Sequence, residues 1–206
     1  MRVTTKVIKT RIKPLVHLFA LLPFLLLLYR LLNQSLGANP IESLTHSTGQ
    51  WGLRFLLLTL GVSPLVKITG LKWLMQLRRM LGLYSAFYVL LHFLIYLVFD
   101  QSLSLDYVLE DIGEHPYITA GFFGFLLLIP LAATSPLAVR RRMGRRWNQL
   151  HRLTYAVGVL GIIHLLWLTK ADFGQVWIYS IIFLILMLFR LPVRAGKRFL
   201  NAVTSQ

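Results

Sequence analysis

Six apolar runs of about eighteen residues each, separated by short charged segments, constrain this chain more than any other feature. A helix crossing a hydrocarbon layer of about 30 Å needs about 20 residues at 1.5 Å each. The runs fall at about 15–32, 51–68, 82–99, 117–135, 152–169 and 175–191. Irregular chain or open sheet at that depth would strand backbone N–H and C=O groups in lipid, so the runs read as helices. Composition agrees. A chain of 206 residues that is 56% hydrophobic, with a mean hydropathy of +0.66, exceeds what a soluble domain of this size can bury. The expected fold is all-α: one domain over 1–206, a polytopic membrane bundle of six transmembrane helices.

The formal net charge of +15 would suggest nucleic acid in a soluble protein. Its distribution points to membrane topology instead, and nucleic acid is not expected as a partner. Arg2, Lys6, Lys9, Arg11 and Lys13 precede the first run, and Lys67, Lys72, Arg78 and Arg79 separate the second from the third. Arg140, Arg141, Arg142, Arg145, Arg146 and Arg152 lie between the fourth and fifth, and Arg194, Lys197 and Arg198 follow the sixth. The alternate segments hold every acid: Glu42, Asp100, Asp106, Glu110, Asp111, Glu114 and Asp172, with Lys170 among them. By the positive-inside rule the basic segments and both termini are cytoplasmic, as in a multi-pass protein of a bacterial inner membrane. The first run follows a basic segment as a signal peptide would, but it is long and no small-residue cleavage site follows, so it is expected to stay as a helix.

Asn39-Pro40, Ser63-Pro64, His115-Pro116 and Ser135-Pro136 stand at or near the ends of runs, where proline can start or stop a helix cheaply. No loop is long enough for a soluble domain. The absence of cysteine excludes disulfides, thiolate metal sites, iron–sulfur clusters and cysteine nucleophiles. No Gly-x-Gly-x-x-Gly follows a strand, so a nicotinamide or flavin-nucleotide domain is not expected and any primary electron donor is external.

Ionisable residues inside a span are costly and are functional candidates by default. His46 and His115 fall in the acidic loops and read as solvated, and His17 lies near the cytoplasmic start of the first helix. His92 and His164 are different, each standing inside an apolar run on helices three and five. Both helices run outward, and each histidine lies 12 to 13 residues from its basic end, about 20 Å along the axis. Two imidazoles at one depth in the outer half of the layer are what axial ligation of a heme iron requires. A histidine hydrogen-bonded to a backbone carbonyl of a neighbouring helix is the plainer alternative. His151 precedes His164 by 13 residues, about 20 Å, so the two cannot serve one cofactor.

The segments Arg78-Arg79-Met80-Leu81-Gly82-Leu83-Tyr84 through His92, and Trp147-Asn148-Gln149-Leu150-His151-Arg152-Leu153-Thr154-Tyr155 through His164, resemble the ferric-reductase-like transmembrane family, which includes the membrane part of NADPH oxidases. The closer resemblance is to the heme-binding membrane subunits of bacterial periplasmic protein-methionine-sulfoxide reductase systems, and it covers essentially the whole chain. Two-heme members of the wider family carry two histidines, 13 or 14 residues apart, on each ligand helix. Here His151 and His164 keep the pattern, whereas helix three has His92 alone and Arg78 stands 14 residues before it. The resemblance thus implies heme b between His92 and His164, with an inner site that has lost a ligand.

An arginine offers a rigid fork of donors suited to phosphate and cannot ligate iron. The inner cofactor is therefore expected to be flavin mononucleotide, its phosphate near Arg78, Arg79 or the Arg140–Arg146 cluster and its ring near His151. The rival is a second heme b with His151 as a metal ligand and His17 as its partner. Arg54, like Arg30 near the outer end of its helix, is expected to pair with heme propionates or else to reach the interface.

The resemblance implies a redox subunit. Electrons would pass from a cytoplasmic reduced flavin, flavin reductase or quinol to a periplasmic molybdenum-containing methionine sulfoxide reductase, which carries out the substrate reduction. The alternative class is a small proton-coupled transporter or channel with histidine relays. Against it, the spans contain no Asp or Glu and no evident inverted repeat. Gly121-Phe122-Phe123-Gly124 reads as close helix packing with no catalytic role.

Overall fold

The computed structural model describes residues 4–168 and 173–190. Arg2, Lys170, Asp172, Arg194, Lys197 and Arg198 lie outside the described residues, as do the last positions of the fifth and sixth expected runs. In chain order the helices are α1 (Thr5–Leu32), α2 (Pro40–Thr69), α3 (Lys72–Asp100), α4 (Leu105–Glu114), α5 (Pro116–Ala133), α6 (Leu137–Met143), α7 (Arg145–Leu168) and α8 (Phe173–Leu188). Among the described residues all regular structure is helical. Five of these helices, α1, α2, α3, α5 and α7, are long and apolar enough to cross a membrane. The sixth expected run appears as α8, apolar but only 16 residues long.

The largest departure from expectation is α2, which begins at Pro40 rather than near 51. Its start is set locally. The Asn39 side chain accepts a hydrogen bond from Glu42 N at 3.2 Å, and Pro40 occupies the first turn, where its missing N–H costs nothing. Residues 41–50 include Glu42, Ser43, Thr45, His46, Ser47, Thr48 and Gln50, which lower the hydropathy while leaving helical geometry intact. His46 is accordingly helical and not a loop residue. At its other end α2 stops at Gly70, whose φ of 71° lets its N–H close on Val66 O at 2.9 Å.

Two antiparallel hairpins form the body of the bundle, α2 packing along α3 and α5 along α7. Close approach in the first depends on Gly52, where a β-carbon would stand 2.7 Å from Val89 Cγ2, and Ser85 Oγ donates to Gly52 O at 2.9 Å. Leu53, Leu56, Leu57 and Leu60 of α2 meet Leu128 and Leu131 of α5, Val157 of α7 and Tyr179 of α8 in the main apolar core. Outside the hairpins, α4 lies on α5, α8 on α7 and α2, and α1 on α2. The outer faces stay apolar: Phe19 of α1 and Trp177 of α8 are each 62% exposed, which suits lipid and not water.

The first helix is fastened by a hydroxyl. Pro23 lies inside α1, where its missing N–H weakens the backbone ladder. Tyr88 of α3, fully buried, braces this stretch: its hydroxyl donates to Ala20 O at 2.7 Å and accepts from Phe24 N at 3.1 Å. Two backbone groups that would otherwise face hydrocarbon are thereby satisfied. Phe55 stacks on Tyr88 with ring centres 5.5 Å apart, completing a small aromatic core.

Candidate functional site

His92 on α3 and His164 on α7 face one another, their ring centres 6.0 Å apart and their planes nearly perpendicular at 82°. Each ring is held by its inner nitrogen. His92 Nδ1 lies 2.8 Å from Thr45 O, and His164 Nδ1 lies 2.6 Å from Tyr117 O. A carbonyl only accepts, so each Nδ1 carries the proton, and the lone pair of each neutral imidazole is on Nε2. This is how a protein fixes the tautomer and angle of a metal-ligating histidine. Carbonyl bonding, which the sequence leaves as a rival to ligation, therefore does not preclude it.

Two glycines make the room. A β-carbon on Gly49 would stand 3.0 Å from His92 Nδ1, and one on Gly121 would stand 2.7 Å from His164 Nδ1. Gly121 thus gives close helix packing against the His164 imidazole, and Gly124 packs with Leu160 Cβ at 3.5 Å from its built β-carbon. The two rings line a cavity of about 1090 Å³ that opens toward the acidic end of the bundle near Glu42, His46, Gln50 and Gln175. Its size is at the upper end of what small-molecule and cofactor sites require.

The donor set can be tested against a heme. Two metal–imidazole bonds of about 2 Å, with about 1 Å from each nitrogen to its ring centre, call for ring centres about 6 Å apart. The observed 6.0 Å meets that requirement. Among the described residues no three His, Asp or Glu side chains converge as a metal cluster. Two imidazoles are too few for a bare ion and suit a metal already held equatorially by a macrocycle. The residues present fit a bis-imidazole heme.

The site is built twice over. Thr45, Gly49 and His92 recur 72 residues on as Tyr117, Gly121 and His164, in the same roles. Gly52 and Gly124, and the Ser63-Pro64 and Ser135-Pro136 pairs, keep the same offset. The α2–α3 and α5–α7 hairpins are therefore parallel repeats, each supplying one carbonyl, one glycine and one imidazole. The same offset sets His151 opposite Arg79, and Arg78 opposite Leu150.

The basic end of the bundle is arranged differently. His151 Nε2 lies 3.1 Å from Thr134 Oγ1, and Trp147 stacks on its ring at 3.8 Å. Trp147 Nε1 donates to Thr134 O at 2.9 Å, and Arg140 lies over the indole. His17, the partner considered for a second heme, has its Nδ1 2.7 Å from the Tyr84 hydroxyl. Arg78 donates to Ser63 Oγ at 3.3 Å and interacts with Tyr155, whereas Arg79 is exposed.

Arg54 ties α2 to α8. It donates to the Tyr179 hydroxyl at 2.8 Å and to Gln50 Oε1 at 3.0 Å, and lies over Trp51. Gln50 in turn donates to Gln175 Oε1 at 2.8 Å at the cavity mouth. Arg190, which sequence reading placed inside the sixth run and passed over, donates to Leu60 O at 2.6 Å and lies over Tyr155.

The model of a family described as the ferric reductase like transmembrane component matches residues 16–162. Among curated proteins, the chain is 50% identical over 175 residues to the protein-methionine-sulfoxide reductase heme-binding subunit MsrQ of Ralstonia nicotianae, covering 84% of this chain and 81% of that one. It is 45% identical over 195 residues to the MsrQ of Herminiimonas arsenicoxydans, covering 93% and 89% of the two chains. It is 41% identical over 181 residues to the MsrQ of Xanthomonas oryzae pv. oryzae, covering 85% and 83%. No solved structure matches it.

Proposed function

Because the chain belongs to the ferric-reductase-like transmembrane family, and within it to the heme-binding subunits of protein-methionine-sulfoxide reductase, we propose that it carries electrons through the membrane to a methionine sulfoxide reductase on the far side. The observation that carries this reading is the His92–His164 pair at 6.0 Å, each ring anchored through Nδ1 to a carbonyl of the other helix of its hairpin. A heme b bound there supplies a one-electron carrier. The chain contributes the two ligands, their fixed tautomer, the glycine clearances and an apolar cavity that limits water.

The orientation that goes with this reading has six spans, α8 being the last, with both termini in the cytoplasm of a bacterium and the protein in its inner membrane. The charge segregation supports it. His92 and His164 then lie in the periplasmic half, beneath a cavity mouth facing an acceptor, for which a molybdenum-containing methionine sulfoxide reductase subunit is the proposed partner. Electrons enter at the basic end from a cytoplasmic flavin reductase, a reduced flavin or a quinol. At that end we favour flavin mononucleotide over a second heme b, with Arg78 and Arg79 toward its phosphate and His151 near its ring. The engagement of His151 by Thr134 and Trp147, and of His17 by Tyr84, supports that preference.

Absorption spectra and cofactor content of the purified protein test the reading. His92→Ala and His164→Ala should each abolish the same low-spin heme signal, while His151→Ala spares it. A preparation without sharp, reducible Soret and alpha bands would overturn the proposal, and a heme-to-protein ratio near two would replace flavin with a second heme.

A further inference from the structure

Four elements converge at the basic end of the bundle on one phenol. Tyr155 of α7 lies beneath the guanidinium of Arg190, whose Cζ stands 5.2 Å from the ring centre, and close enough to Arg78 of α3 to interact with its charge. Arg78 also donates to Ser63 Oγ of α2. Lys67, near the end of α2, donates to Phe189 O at 3.1 Å, beside Arg190 in sequence. Arg78, Tyr155 and Arg190 are all half-buried.

These contacts satisfy donors but leave the charge uncompensated. Ser63 Oγ, Tyr155 and the carbonyls of Leu60, Leu186 and Phe189 are neutral partners. Of the seven acids in the sequence, the six among the described residues, at 42, 100, 106, 110, 111 and 114, lie in the segments at the opposite end. Among the described residues the one ion pair is His115 with Asp111, so no carboxylate meets these cations. Two like charges held at one ring, partly out of water, favour a counter-charge, and none comes from the described residues.

We propose that Arg78 and Arg190, bracketing Tyr155 with Lys67 alongside, form a binding site for a phosphate group. Guanidinium forks match phosphate oxygens in geometry as well as charge. The phosphate can come from an anionic phospholipid of the facing leaflet or from a mononucleotide. The site goes beyond the flavin reading above, since a lipid headgroup meets the same chemistry. Tyr155 stands nine residues before His164, about 14 Å along α7, so a redox-active mononucleotide anchored here would lie within a few turns of the imidazole pair.

The test is native mass spectrometry of the heme-loaded protein in detergent, titrated separately with phosphatidylglycerol, flavin mononucleotide and inorganic phosphate. At least one of these should bind. Arg78→Gln and Arg190→Gln should each weaken that probe by about tenfold or more, with Arg11→Gln, an exposed arginine of α1, as the unaffected control. An unchanged Soret band shows that a variant is folded. If either glutamine variant loses heme, Arg190→Lys and Tyr155→Phe repeat the comparison with charge retained, and the lysine should restore only part of the affinity. Loss confined to phosphatidylglycerol assigns the site to lipid, and loss confined to flavin mononucleotide assigns it to the nucleotide. Binding of every probe as tightly by the variants as by the parent protein, or by none of them at all, overturns the site. Flavin retained by both variants, with phosphatidylglycerol and phosphate also bound as by the parent protein, overturns it while leaving the flavin reading intact.

Discussion

Gly121 lies against the ring of His164: a β-carbon built on it would stand 2.7 Å from Nδ1 and 2.9 Å from Cε1. That ring is also tied to Tyr117 O, one helical turn before Gly121 on the same helix. The imidazole therefore has no direction in which to yield without giving up either its carbonyl or its aim.

Gly121→Ala should push His164 off its ligating position and weaken heme retention by about 10–100-fold, the usual range for disturbing a ligand's support. Gly49→Ala, whose β-carbon would sit 3.0 Å from His92 Nδ1, should do the same more mildly. Heme per protein after detergent purification measures both, and a Gly121→Ala protein with full heme content and an unaltered spectrum would refute the clearance argument.

Tyr88→Phe removes the hydroxyl that bridges Ala20 O and Phe24 N. Leaving those groups unpaired in an apolar setting should cost about 1–3 kcal/mol, read as a lower thermal midpoint. Because the ring itself remains, the low-spin heme spectrum should persist. Wild-type stability in this variant would mean that the two hydroxyl contacts contribute nothing to holding α1.

Arg54→Ala tests whether this side chain serves the cofactor or only joins α2 to α8. Loss of a cation near the heme should favour the ferric state and lower its midpoint potential by on the order of 50 mV. Potentiometric titration decides: an unchanged potential confines Arg54 to its contacts with Tyr179 and Gln50.

Removing heme should loosen the seam between hairpins, since one ligand comes from each. The heme-free protein is expected to melt several degrees below the loaded form, as for any ligand that binds only the folded state. Added hemin should recover the difference in the parent protein but not in His92→Ala.

Much of this was legible in the sequence because bilayer thickness is a ruler. Apolar run lengths locate five long helices, and counting along two of them sets His92 and His164 at one depth. The first three turns of α2 escaped because Glu42, His46 and Gln50 lower the hydropathy of a segment that faces the cavity mouth. The carbonyls of Thr45 and Tyr117 escaped for another reason: a backbone acceptor leaves no trace in residue identity, and its use depends on the register of two helices. A signal was nevertheless present in the 72-residue spacing shared by Gly-x-x-Gly, Ser-Pro and histidine. Arg190 was missed because an arginine closing an apolar run looks like the end of a span and nothing more.

The duplicated hairpins leave a planar guest with little sense of front and back. Turned over about the bundle axis, it would again meet a carbonyl-anchored imidazole, a glycine and a wall of aliphatic side chains. Any preference for one seating has to arise where the halves differ beside the cavity, as at Phe93 against Leu165. A pair of rotational isomers, unequal in population and resolved by proton NMR of the oxidised protein, is the expected mark of a pocket that is chiral only in its trimmings.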